Sequence, residues 1–394
     1  MRPPAIDDVS TLFTRLSPAR ERLAANDARI LATQIALSEV PAPTGSEMQR
    51  GLLVADHFRQ VGLSNVHVDD AGNVIGERCG ITAEAPVVVC AHLDTVFPTG
   101  TDTRVKSDGT VLTGPGIVDN ARGLAVMLAL SEVVERARRP VVFAATVGEE
   151  GSGDLRGAKH LFASFDESPS ACIALDGAGD DRIVNRALGA RRFRVSIRGE
   201  GGHSWASFGT PNPVHAAGAA TAKIAAMPLP RTPRTTLSVC RIGGGLSVNS
   251  IPDEAWIEID LRSLSTHTLD QCTTELQLAI RAAVREENAR RSTGASALTW
   301  TIETIGDRPC GEVHPTHPLV QAALQATRDI GRHPELAMAS TDANVPISLG
   351  IPAIAIGAGG RGGGVHTSAE WYDNTEGTLG VARALMILVA AADL

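Results

Sequence analysis

The chain has 394 residues, with 44 acidic against 36 basic side chains and a formal net charge of −8. An acidic balance with no lysine or arginine block argues against a nucleic-acid surface, and no apolar run is long enough to span a bilayer. The six scattered cysteines form no CxxC pair, a pattern of reduced thiols in a cytoplasmic protein rather than a disulfide frame or structural zinc site. Residues 1–25 hold no apolar stretch of signal-peptide length, and the basic cluster over Glu135–Pro140 reads as a solvated helix end.

Along the chain, helical spacing over 46–62 ends at Gly62, and two short strands flank the turn Asp70–Asn73. The run 85–96 is a buried strand leading into a loop, 121–137 an amphipathic to buried helix, and 140–147 another buried strand. A helix over 155–165 and a strand over 171–177 follow. Strands alternating with helices predict a three-layer α/β domain with a mostly parallel sheet. Near Arg186 the pattern changes to alternating strands at 190–201, 234–245, 254–264 and 297–306. Helices lie between them at 213–226 and 269–291. This βαββαβ order predicts an inserted α+β ferredoxin-like domain. Helix 317–331 and strand 351–359 then return to the α/β style. The expected division is 1–186 with 307–394 for the α/β domain and 187–306 for the inserted domain.

Functional groups in an open α/β sheet collect at the carboxyl ends of strands. There stand His92 and Asp94, then Asp119, the adjacent pair Glu149 and Glu150, Asp176, and His366 after a glycine-rich loop. Imidazoles and carboxylates without a thiolate form a donor set that suits zinc, cobalt or manganese. One ion cannot use them all, whereas two ions sharing a carboxylate can, and such a pair makes hydroxide from water and polarises a carbonyl oxygen. Two neighbouring glutamates at a strand end repel each other unless something favours the anions, so their adjacency points to different tasks.

The stretches AHLDTV, GPGIVDNARG, GEEGSGDLRGAKHL, ALDGAG, GEGGHSW, VNSIPDEAWIEIDLRS and HTSAEW resemble, in order, the motifs of the M20 family of dinuclear zinc aminoacylases and peptidases. The resemblance runs from about residue 30 to the C-terminus. It implies that Asp119 bridges both ions, that His92 and Asp176 complete one ligand set and that Glu150 and His366 complete the other. It further implies that Asp94 orients His92 through the remaining ring proton and that Glu149 is the general base. His203 would reach into the active site of a partner in a homodimer and steady the oxyanion. Asn249 and Arg262 would bind the substrate, with Arg262 gripping a carboxylate. Gly359 and Gly360, with the loop Ser340–Pro346, would line the pocket, and the Asp119–Asn120 peptide would be cis.

Two positions depart from the family pattern. Arg122 stands where lysine is frequent, and Asp176 stands where many carboxypeptidases and deacylases carry glutamate. Aspartate there resembles the peptidase-T and dipeptidase branch. The expected activity is therefore amide hydrolysis in short peptides, as by an aminopeptidase. The rivals are an N-acyl amino acid deacylase or carboxypeptidase of the same fold, and a metal-binding protein without catalysis.

Overall fold

Four short runs of small and β-branched apolar residues form the centre of the larger sheet. They are β1 (Val87–His92), β2 (Val141–Thr146), β3 (Ala171–Leu175) and β4 (Ala353–Ile356), every residue of which is buried. The computed structural model describes residues 14–135 and 137–393. The first thirteen residues of the segment read as leaderless, and Arg136 of the basic cluster, lie outside the described residues. The order β2-β1-β3-β4 is parallel throughout. Strands covered on both faces need no polar alternation, which is why they read as continuous apolar runs. Beyond β2 the sheet continues antiparallel through Val74–Arg78 and Ser64–Val68. Their turn is held by Asp69, whose Oδ1 accepts the amides of Ala71, Gly72 and Asn73.

Helix α1 (Ala121–Val133) is buried along nearly its whole length, and Asn120 caps its start by accepting the Gly123 amide. Gly123 is required there. A Cβ at that position would lie 2.6 Å from the Leu175 carbonyl oxygen at the end of β3. Helix α2 (Gly377–Asp393) is equally apolar and joins the same core. It and the helices Ser17–Ala25 and Asp27–Glu39 were not anticipated by the sequence reading.

The chain divides into two compact units, one running to Ala187 and resuming at Glu312, the other Leu188–Gly311. The second unit contains a four-stranded antiparallel sheet made of Gly189–Arg198, Thr236–Gly244, Glu254–Ser263 and Thr299–Arg308. Read across the sheet, the order is the fourth of these strands in the chain, then the first, the third and the second, the ferredoxin-like arrangement. Glu254–Ser263 alternates strictly between buried and half-buried residues. Its apolar face packs with residues of the helices Pro213–Ala225 and Thr266–Asn288 in one core.

Within the first unit a smaller sheet matters more for chemistry. Arg361–Gly363 and Trp371–Asp373 form a hairpin that extends through Val111–Thr113 to Lys106–Asp108. The connecting segment of that hairpin carries His366 and ends at Glu370, beside the loop that leads to Asp119.

Candidate metal centre and active site

β1 ends on His92, β2 runs into Glu149 and Glu150, β3 runs into Asp176, and the loop before α1 ends on Asp119. One ligand atom each from His92, Asp119 and Glu150 lie within 4.8 Å of one another. His366 joins them from the hairpin. Its Nε2 lies 3.1 Å from Asp119 Oδ2 and 2.8 Å from Glu150 Oε1. It does so with φ at 67°, a left-handed conformation uncommon outside glycine, of the kind that persists where surrounding structure imposes it.

The donor chemistry fits a divalent cation. His92 Nδ1 lies 3.1 Å from the Asp94 carbonyl oxygen. A ring proton directed there leaves Nε2 as a lone pair, 2.9 Å from Asp119 Oδ1. Despite that short distance, Asp119 Oδ1 is buried without a hydrogen-bond partner. The geometry is that of two electron-pair donors facing a position for a positive charge. In the metal-free protein, protons serve instead. Burial would lower the His92 pKa, but Asp119 and Asp94 beside it hold it well above the usual range. Asp119 lifts His366 to about 9. Burial, reinforced by the charge of Asp119, pushes Asp176 up to about 7, and the same two causes raise Glu150. Asp119 itself would be raised by burial, yet His366 and His92 hold it well below the carboxylate range.

The adjacent glutamates are fixed through their backbone. The Glu149 amide donates to Asp94 Oδ1 at 2.9 Å and the Glu150 amide to Asp94 Oδ2 at 3.0 Å. Thr44 Oγ1 donates to Asp94 Oδ2 at 2.8 Å. This refines the expectation for Asp94. Its carboxylate is 3.6 Å from His92 Nδ1, farther than its own carbonyl, and its close partners are the two glutamate amides. Burial would raise Asp94, but His92 and those amides bring its pKa below the usual value. Glu47, absent from the sequence-derived set, accepts the amides of Gly45 and Gly148. Gly148 and Gly153 pack backbone to backbone, for a Cβ on Gly153 would stand 2.5 Å from Gly148 Cα. The glycines of GEEGSG thus fold the loop tightly behind the glutamates.

A cavity of about 690 Å³ opens beside the cluster, lined by Asp119, Asp176, Asp180, Arg332, Gly360 and Arg361 among others. Gly360 borders this cavity. Gly359 does not belong to its lining. A Cβ there would come 2.4 Å from the Gly377 carbonyl, so its bareness serves packing against the start of α2. Arg122 is fully buried and donates to the carbonyls of Ala358 and Gly377, bracing the same glycine segment. From the loop Ser340–Pro346, Asp342 is buried and accepts from Thr146 Oγ1 at the end of β2. The Asp119–Asn120 peptide is cis.

His203, Asn249 and Arg262 belong to the second unit. His203 and Asn249 are neighbours on a two-stranded ladder pairing Gly202–His203 with Ser250–Ile251, where the Ser204 amide donates to the Asn249 carbonyl. The exposed His203 ring accepts the Trp205 amide at Nδ1. Arg262 is engaged within its own strand, Nε donating to Asp260 Oδ2 at 2.7 Å.

Thr44, Glu47 and Glu370 reach the site without being singled out by sequence. Glu370 alone had a signal, its place four residues after His366. Among the described residues, no helix is long and apolar enough to cross a membrane. All six cysteines are unpaired by disulfides, and Cys90 and Cys172 place their sulfurs 3.9 Å apart on adjacent strands.

Comparison with known proteins adds to this geometry. The chain is 25% identical over 336 residues to a succinyl-diaminopimelate desuccinylase of Corynebacterium glutamicum, covering 82% of this chain and 86% of that one. Its fold is similar to that of aminopeptidase PepT from Bacillus cereus (TM-score 0.73, 24% identity, 95% of this chain and 99% of the other). It is also similar to YXEP of Bacillus subtilis, described as a dinuclear metal-binding peptidase (TM-score 0.69, 18% identity, 94% of this chain and 99% of the other). Residues 88–391, which hold every residue of the cluster, match peptidase family M20/M25/M40. The chain belongs to that family and is a metal-dependent hydrolase of the peptidase and amidohydrolase type.

Proposed function

We propose that the protein hydrolyses an amide bond of short peptides bearing a free amino terminus, using two divalent ions held at the cluster. The observation that carries the reading is the convergence of His92, Asp119, Glu150 and His366 around a buried carboxylate oxygen that lacks a hydrogen bond. Asp119 would be shared by both ions, with His92 and Asp176 serving one and Glu150 and His366 the other. Charge counting supports two ions rather than one. Asp94 is already offset by backbone amides, which leaves Asp119, Glu149, Glu150 and Asp176 as four carboxylates at the site. Zinc suits these ligands, as do cobalt and manganese. When bound, such ions supply Lewis acidity towards a carbonyl oxygen and bring a water into the range where it ionises near neutral pH.

The chain's own groups do the remaining work. Glu149 takes a proton from the attacking water and delivers it to the leaving amine. Its backbone is clamped by Asp94, which fixes where the side chain starts. His203, exposed on its ladder, is assigned to oxyanion stabilisation in the active site of a second copy, which makes the working form a homodimer. Asn249 and Arg262 are assigned to the substrate, Arg262 after exchanging Asp260 for a substrate carboxylate. The cavity bordered by Gly360 receives the residue beside the scissile bond.

The PepT-like fold and the aspartate at 176 favour peptides. The desuccinylase relative favours a second reading, removal of an acyl group from an N-acyl amino acid. Initial rates on di- and tripeptides, compared with N-succinyl and N-acetyl amino acids on the zinc- or manganese-loaded protein, separate the two. Faster turnover of the N-acyl amino acids would overturn the first reading. Binding of two ions with no turnover in either set would point to a binding protein instead.

A further inference from the structure

Glu370 is fully buried at the end of the hairpin segment that carries His366. Its carboxylate accepts three backbone amides from one loop: Val118 at 2.7 Å and Asp119 at 2.9 Å on Oε1, and Gly116 at 3.1 Å on Oε2. Its own carbonyl accepts the Gly114 amide at 2.9 Å. The carbonyls of the loop are held from the other side. Gln34 donates to the Ile117 oxygen and Ser38 to the Pro115 oxygen.

Amides converging in this way form a small anion-binding concavity. Here the anion is a side chain from about 250 residues along the chain. Both oxygens of Glu370 are engaged by amides of this loop, which fits a structural hold rather than a ligand or a base. Its hold is on the amide of Asp119 itself, the residue whose two carboxylate oxygens face His92 and His366. The hairpin that supplies Glu370 also supplies His366, so one short segment fixes both sides of the Asp119–His366 contact.

We infer that Glu370 is a positioning residue that sets the Asp119 carboxylate by clamping the backbone of Gly116–Asp119. The inference rests on the proposed role of Asp119 as the ligand shared by the metal pair. Substitution here resembles the loss of other groups that orient ligands, which typically weakens metal binding about 10–100-fold.

The test uses the full-length protein and its Glu370→Gln variant, with Glu132→Gln, at a half-buried ion pair on α1 away from the cluster, as the control. Zinc affinity is measured by chelator competition, the cobalt-substituted protein by its visible spectrum, and the metal-free protein by thermal melting. Glu370→Gln keeps one acceptor oxygen and is expected to bind zinc roughly 10–100-fold more weakly, with an altered cobalt spectrum. Its kcat is expected to fall more than its KM rises. Glu132→Gln is expected to leave affinity and spectrum as in the parent. Parental zinc affinity and cobalt spectrum in Glu370→Gln, with only a lower melting temperature, would overturn the inference. If Glu370→Gln does not fold, Glu370→Asp, whose shorter arm keeps the charge but not the reach, is judged by the same two readouts. A parent protein that takes up no divalent ion refutes the metal reading and this inference with it. A parent that binds metal no more tightly than Glu370→Gln refutes this inference alone.

Discussion

Replacing Asp94 by asparagine probes the device that holds the paired glutamates. The carboxylate takes the Glu149 amide on one oxygen and the Glu150 amide with the Thr44 hydroxyl on the other. Asparagine has one oxygen to offer. If that oxygen keeps the two donors from Glu150 and Thr44, the new NH2 group faces the Glu149 amide, donor against donor. A buried donor without a partner costs about 1–3 kcal/mol, and the retained bonds lose the strengthening that a charged acceptor supplies. We therefore expect about 2–3 kcal/mol of lost stability. The Glu149 backbone, no longer held, should shift, and displacement of a catalytic group by about 1 Å costs on the order of 100-fold in rate. Denaturant melts of the metal-free protein and steady-state kinetics of the loaded protein give both numbers. If Asp94 acted mainly through the His92 ring, metal affinity would collapse while the stability of the metal-free protein changed little. That outcome, or parental stability together with parental kcat, would refute the reasoning.

Glu149→Ala should retain metal binding and lose about 100- to 10,000-fold in kcat, and near-parental turnover would remove Glu149 as the base. Mixed after co-refolding with His203→Ala, it should regain roughly a quarter of parental activity if a homodimer shares sites, since only mixed dimers contain one intact pair. No recovery from the mixture would count against a shared site. Metal analysis after dialysis should find about two divalent ions per chain, and about one with unimpaired activity would reject the two-ion scheme. Away from the site, Glu132 on α1 meets Arg29 (Nη1 to Oε1 at 2.8 Å) and His57 (3.1 Å), and despite burial these partners hold its pKa down at about 2. Because the folded value lies below the ordinary one of 4.5, its contribution is complete above that value and disappears as pH falls through about 2. Glu132→Gln should cost about 1 kcal/mol at neutral pH after solvent screening, and nothing once the carboxylate is protonated in both states. A cost that persists unchanged at the acid end of the melts would contradict this.

The four parallel strands were legible because burial on both faces leaves an unbroken apolar run, and the inserted sheet because burial on one face leaves alternation. The cluster was legible because its members sit where strands end. What stayed hidden was set by contacts distant in sequence. α2 is apolar nearly all round, so it lacks the stripe that marks an amphipathic helix. Thr44 and Glu47 sit in and beside a polar loop that looks like any other, and only the chain's return brings them against Asp94 and Gly148. At Gly359 the missing side chain is one that packing against the start of α2 requires, a constraint that sequence alone does not distinguish from room for substrate.

Asp94 and Glu370 are acids of the same kind as Asp119 and Glu150 in composition, and each lies in a motif beside a histidine. What separates them is where their lone pairs go. Asp94 and Glu370 spend theirs on backbone amides, two in one case and three in the other. Asp119 keeps Oδ1 unbonded, and the near neighbours of Asp119 and Glu150 are imidazole nitrogens. An amide is a fixed partner that cannot leave, so a carboxylate bonded to amides is a hinge pin. An imidazole and a carboxylate facing each other need a proton or a metal cation between them, and the proton can be exchanged for the metal. The division follows from hydrogen-bond geometry, and it explains how so many acids occupy one crevice with only part of their charge left for metal.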